Sequence, residues 1–348
     1  MLPAFSLSLH MANFQRRGFR TDRPAAREQL EAVAVSFLTG YNLAARARDL
    51  ADLHGLLAEV AEPQRGFAYE GAGMQLAIGD LFRPGRFRRP EQLATGPGAG
   101  FSHLVHVGAG WPLAPTRRAY CLRLPATPLL RWLAVDGAGF GAAFFGGEPA
   151  LRRICRAGSG PKRRVRIAGA GRALWFQQAA DVPAVARVIA GQPAVAAADL
   201  WAGVGLACGY AGATDTAGRQ ALIEHSGRYL ANVRQGVLFA TAARARSGWV
   251  PEHTEAACRE LLGLSAGQAA RWTDEESADL DRRLDVQAYQ LWRHRLTVRA
   301  GGAGSAERAG SLSRVGSSGP SGQPQPPTGA ATAHSRYVLA SAPAEDQP

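Results

Sequence analysis

Lysine is almost absent: Lys162 is the only one among 40 basic side chains. The formal charge of +12 is therefore carried by arginine, and GC-rich codons alone enrich arginine, alanine and glycine, so the charge by itself points to no partner. Cysteine is scarce too. Cys121, Cys155, Cys208 and Cys258 lie far apart with no C-x-x-C spacing, which excludes the common zinc and redox motifs, and a chain this long needs no disulfide staples. They read as small core residues of a protein in a reducing cytoplasm. No long clean apolar run is evident: Leu129 to Phe145 is broken by Arg131, Asp136 and several glycines, short of the ~18–20 apolar residues of a membrane span. Met1 to Ala12 has no basic segment ahead of an apolar one, so no signal peptide is expected. H-E-x-x-H and G-K-[ST] are missing, which removes the common zinc-protease and phosphate-loop chemistries.

What the chain has instead is a recurring glycine pair followed by apolar residues. It appears at Gly71/Gly73, Gly108/Gly110, Gly137/Gly139, Gly169/Gly171 and Gly203/Gly205, with a weaker echo at Gly236. The steps between first glycines are 37, 29, 32 and 34 residues. Two helices of about 12 residues with two short turns fill such a period. The spacing predicts an all-α fold built as a helical-hairpin repeat array, solenoid-like, with a compact helical bundle as the alternative. The glycines would let neighbouring helices approach closely and the aromatics after them would fill the layers. Apolar stripes support helices elsewhere, among them Leu30 to Leu38, Val182 to Ile189 and Tyr229 to Ala240. Asp181 and Asp199 read as helix N-caps, Ser265 as a further cap, and Thr273 to Glu276 as a capping box.

Three segments follow from composition. Residues 1–24, with Arg16, Arg17, Arg20 and Arg23, read as a flexible basic arm. Residues 25–298 form a single α-helical domain. From 299 to 348 Gly, Ser, Pro, Thr and Ala dominate, and such a tail buries too little to offset its ordering entropy and is expected to be disordered.

Candidate chemistry lies among acids and histidines in apolar surroundings. Glu70, Asp80 and Asp136 are carboxyls that burial would make useful as acids or bases. His103 and His106 are three apart and share a helix face, yet two histidines do not make a metal site, so no metal is assigned. Gly137-Ala-Gly139-Phe-Gly141 has its third glycine one position early for a dinucleotide fingerprint. The basic stretch from Arg152 to Arg166 has no interleaved aromatics for base stacking and reads as a solvated connection, so nucleic acid is not expected as a partner. Trp111, Phe140, Phe144, Trp175, Trp201 and Tyr210 would line an apolar groove or pack the repeats.

Several segments together resemble the signatures of the UnbL family: Gly66 to Met74, His103 to Trp111, Leu130 to Gly137, Arg172 to Phe176, Asp199 to Cys208 and His253 to Cys258, in a likeness running from about residue 14 to 296. Gly141 stands where that family's pattern often has a histidine after the phenylalanine. The resemblance implies an actinobacterial-type cytoplasmic protein tied to enediyne or related polyketide assembly. It supplies no mechanism, no cofactor and no established catalytic residues. The expected function is an accessory one, binding or maturing an apolar polyene intermediate in the groove, with Glu70, Asp80, His103, His106 and Asp136 as the candidate acid and base set. The alternative is a non-catalytic scaffold that docks biosynthetic pathway enzymes.

Overall fold

In the computed structural model, residues 6–81, 88–113, 124–157 and 160–315 are described, with side chains up to 302. The chain divides into a unit over Met1–Glu307 and a second over Arg308–Pro348. All that follows concerns the first.

The described residues are helical, with no strand among them. Long helices alternate with short ones: α1 (Phe14–Arg17), α2 (Pro24–Arg46), α3 (Leu50–Ala58), α4 (Glu62–Leu81), α5 (Arg88–Thr95), α6 (Ser102–Gly110), α7 (Leu133–Arg156), α8 (Pro161–Gln177), α9 (Val182–Ala190), α10 (Ala194–Ala211), α11 (Thr216–Ser226), α12 (Leu230–Arg246), α13 (Glu252–Leu262), α14 (Ala266–Glu275) and α15 (Val286–Val315). Helix α7 is two helices in one. Gly147 breaks it with φ 57° and ψ −153°, a conformation open almost only to glycine, and Pro149 follows.

Helices α2, α4, α6, the first half of α7, α8, α10 and α12 form the inner layer, and the glycine pairs explain how they pack. A Cβ on Gly108 would fall 1.9 Å from the Glu70 carbonyl oxygen, and one on Gly73 2.5 Å from that of Val105. The same reciprocal contact joins Gly40 with Gly71, Gly110 with Gly137, Gly139 with Gly169, Gly171 with Gly203, and Gly205 with Gly236. In each helix the first glycine thus receives the preceding inner helix and the second receives the next. Hydrogen bonds between successive inner helices join residues about one repeat apart: Ser36 Oγ to the Gln64 carbonyl, Gln177 Nε2 to that of Ala143, and Arg244 Nη2 to that of Tyr210. Such pairing near either helix end requires the inner helices to run parallel. The short helices α3, α9 and α11 and the second half of α7 carry the chain back between them. This is the hairpin-repeat array expected from the glycine period.

The array curls on itself. Gln29 Nε2 of α2 donates to the Ala211 carbonyl at the end of α10, and Arg244 Nη1 of α12 donates to the Pro63 carbonyl at the start of α4. Of the stretch expected as a basic arm, Leu9–Ala12 is a 3-10 turn and α1 folds onto the domain, with Phe14 fully buried and its N–H donated to Glu31. Helix α15 runs past the expected tail boundary at 299, and residues 316–348 lie outside the described residues.

The capping expectations divide. Asp181 caps α9 by accepting the Ala184 N–H, and Ser265 with Gln268 forms a reciprocal capping box. Asp199 is no cap: it lies inside α10, 1% exposed, between Arg164 and Arg293. Thr273 lies inside α14 and returns its hydroxyl to the Ala269 carbonyl. One helix of the described residues, Ala194–Ala211, is long and apolar enough to cross a membrane, contrary to the sequence reading, but 78% of it is buried inside the domain, so its apolar surface is already covered.

Candidate functional site

Curling of the inner layer encloses a cavity of about 100 Å³. Residues from all seven inner helices reach it. Its wall is a run of stacked and tilted rings: Phe37 on Trp111 with centroids 4.4 Å apart, Trp111 on Phe140 at 4.9 Å, and Phe140 on Phe144 at 5.2 Å. Phe145, 52% exposed, and Arg17 mark where the cavity meets the surface. The Arg17 guanidinium lies 4.7 Å from the Phe144 ring centre, an attraction between cation and ring that keeps a charge at an otherwise apolar mouth.

Few polar side chains enter this lining, and the repeat register places them. The residue before the first glycine and the residue after the second are four apart, so they share the helix face turned inward. In α4 these are Glu70 and Met74, in α6 and just past its end Val107 and Trp111, in α7 Asp136 and Phe140, in α8 Ala168 and Arg172, in α10 Ala202 and Leu206, and all but the two small alanines line the cavity. Charged chemistry therefore sits at three of these ten places, on α4, α7 and α8.

Asp136 and Arg172 form an ion pair whose side chains are 5% and 8% exposed. Burial raises the Asp136 carboxyl above its usual range, opposed by the Arg172 charge and hydrogen bond. Arg172 also covers the Phe140 ring at 4.8 Å. Glu70 accepts a hydrogen bond from Trp111 Nε1 at 3.0 Å. Burial pushes its carboxyl up to about 7, against the pull of Arg172 and Trp111. A carboxyl that ionises near neutrality, in an aromatic cavity beside a neutralised arginine, can donate, accept or transfer a proton there.

Of the residues singled out in the sequence, Glu70, Asp136, His103, Trp111, Phe140, Phe144 and Tyr210 line this cavity. The others do not. Asp80 is spent on Arg89, accepting its backbone N–H at 2.9 Å and its Nε at 2.6 Å. His106 faces another way, with Nδ1 2.6 Å from the Ser102 carbonyl. Trp175 is fully buried between repeats, donating to the Gly212 carbonyl, and Trp201 packs in the core. Burial drives His103 down to about 3 and His106 to about 4, so both are neutral at physiological pH. Among the described residues no group of three or more His, Cys, Asp or Glu could hold a metal. The basic stretch from Arg152 to Arg166 is largely taken up locally: Arg152 pairs with Glu148, Arg163 reaches the carbonyls of Ile154 and Cys155, and Arg164 pairs with Asp199.

Arg172 is the functional residue that reading for acids and histidines passes over. Its signal is its register, an arginine after the second glycine where four other repeats carry Met74, Trp111, Phe140 and Leu206. Neither the curated proteins nor the solved structures contain a match to this chain. Residues 3–300 match the family described as "Protein of unknown function (DUF1702)", and the chain belongs to that family.

Proposed function

We propose that the protein binds an elongated apolar, polyene-like molecule in its central cavity, as an accessory protein of polyketide natural-product assembly of the enediyne kind. The observation that carries this reading is the aromatic wall from Phe37 to Phe144, with the buried Glu70, Asp136 and Arg172 beside its middle at Trp111 and Phe140. A conjugated chain is flat and slim, and it stacks on rings where a bulky saturated ligand would not enter. The pathway assignment rests on the resemblance of the glycine-pair segments to UnbL-type proteins, and a cytoplasmic setting is consistent with the buried thiols. Glu70, with its carboxyl near 7, is the group in the lining suited to moving a proton at neutral pH, while Asp136 and Arg172 hold the site electrically neutral.

The test is fluorescence titration of the purified protein with cis-parinaric acid and its methyl ester, conjugated tetraenes that emit when held in an apolar site. Saturable emission that is lost when the cavity is filled by Ala207→Trp, in a variant with native helicity, is the expected result. A native chain that enhances neither probe overturns the ligand reading and leaves the array as a scaffold for docking pathway enzymes.

A further inference from the structure

Tyr210 is 4% exposed and lines the cavity, and its hydroxyl has no hydrogen-bond partner among the described residues. Such a group costs free energy unless something fills its valence. Its position is fixed by Gly66: a Cβ there would lie 2.1 Å from the hydroxyl oxygen, so the phenol rests in the notch that glycine leaves on α4. Gly66 is four residues before Glu70, which puts both on one helix face and sets the Glu70 carboxyl one turn beyond the hydroxyl. The phenol is packed at its edge and on one face. The Phe67 ring packs edge-on at 5.1 Å, and the Arg244 guanidinium covers its face at 3.9 Å. Among the described residues only Trp111 hydrogen-bonds the Glu70 carboxyl, and it occupies one oxygen.

We infer that the bound molecule places a carbonyl oxygen between the Tyr210 hydroxyl and the Glu70 carboxyl, which act together as its two hydrogen-bond donors. This rests on the reading of the cavity as a site for an apolar ligand. A carbonyl oxygen accepts two hydrogen bonds and donates none, matching a phenol that burial keeps protonated and a carboxyl that is protonated below about 7. It also keeps the site neutral. Arg172 is already balanced by Asp136, so a ligand carboxylate would bring an uncompensated negative charge into an apolar enclosure. An acidic ligand instead finds its cation at the mouth, on Arg17. The pair would orient a ketone, aldehyde or ester and polarise its carbonyl bond, with Trp111 positioning the carboxyl.

The experiment compares cis-parinaric acid with its methyl ester at pH 6, on the native chain and on Tyr210→Phe and Glu70→Leu. The two probes share one chain and differ only at the carbonyl end. The expected result is that each variant weakens the ester about three- to tenfold, the effect of losing one buried hydrogen bond, while the acid changes by less than about twofold. Tyr210→Phe removes a single oxygen, and matched melting curves establish that it folds. An ester affinity unmoved by both variants, or an acid weakened as much as the ester, overturns the carbonyl assignment while leaving the cavity a polyene site. If neither probe binds the native chain, the cavity reading itself falls, and the carbonyl pole with it.

Discussion

Asp136 and Arg172 flank successive glycine pairs from opposite sides: Asp136 immediately precedes Gly137 and Arg172 immediately follows Gly171, and parallel packing of α7 on α8 turns that offset into a buried ion pair. The pair is enclosed by rings, Phe140 above the guanidinium among them. Its worth to stability is asymmetric. Removing one partner strands the other charge in the core, whereas removing both strands nothing.

Arg172→Met is therefore expected to destabilise the protein by about 3–5 kcal/mol. The double change Arg172→Met with Asp136→Leu should recover most of that loss. Urea unfolding of the native chain, Arg172→Met, Asp136→Leu and the double variant checks it, and an additive double mutant would show that the two residues do not act as a pair.

The glycines make a sharper contrast. Gly171→Ala would put a methyl group 2.2 Å from the Leu200 carbonyl oxygen, which belongs to helix backbone and can yield only if the two helices separate. Overpacking of this kind costs about 1–3 kcal/mol or more. Gly55 lies in α3 with nothing near the place its Cβ would take. Gly55→Ala should stabilise by about 0.5–1 kcal/mol, because alanine loses less backbone freedom in a helix than glycine does. Thermal melts of the two variants should move in opposite directions.

That contrast also shows what the sequence could reveal. The array was legible because close parallel packing demands a glycine at each junction, and the demand repeats with the period. Glu70 and Asp136 stood out as acids among apolar residues. Arg172 did not, since arginine is common along this chain, although its register marks it once the repeats are aligned. Asp80, His106, Trp175 and Trp201 have suitable chemistry but point away from the cavity, because helix phase rather than residue type decides which face turns inward. The meeting of Tyr210 with Gly66, and of Arg244 with Pro63, depends on curvature accumulated over several repeats, which no local pattern records.

The cysteines offer a test of burial. Cys155, Cys208 and Cys258 are all buried free thiols, and burial pushes them up to about 11, 12 and 11. Since the thiolate is the reactive species, the three should be silent to a disulfide reagent at pH 8 in the native protein and should react together in denaturant. Cys121 lies outside the described residues, so the count is best made on Cys121→Ser. Rapid native labelling of any of the three would show that its repeat opens.

Glu70 should leave a signature in the dependence of stability on pH. Its carboxyl rises from 4.5 to about 7 on folding, so the folded state holds a proton that the unfolded state releases. The sign follows: stability from this group is full below about 4.5 and is lost as pH rises toward and through 7. Asp136, also raised by burial, acts in the same direction. His103, His106 and His253 act oppositely. Each falls from 6.5, to about 3, 4 and 4, so the stability of their neutral folded forms is present above 6.5 and is lost as pH falls below it. The histidine contribution is complete above pH 6.5, where the loss from the raised carboxyls continues, so stability should rise toward pH 6.5 and then decline as Glu70 ionises. Glu70→Gln keeps the shape of the side chain and removes the titration. Relative to the native chain it should gain stability between pH 5 and pH 8, on the order of 3 kcal/mol. Urea unfolding at the two pH values measures the difference, and equal shifts at both would mean that Glu70 ionises in the folded protein as it does in the unfolded one.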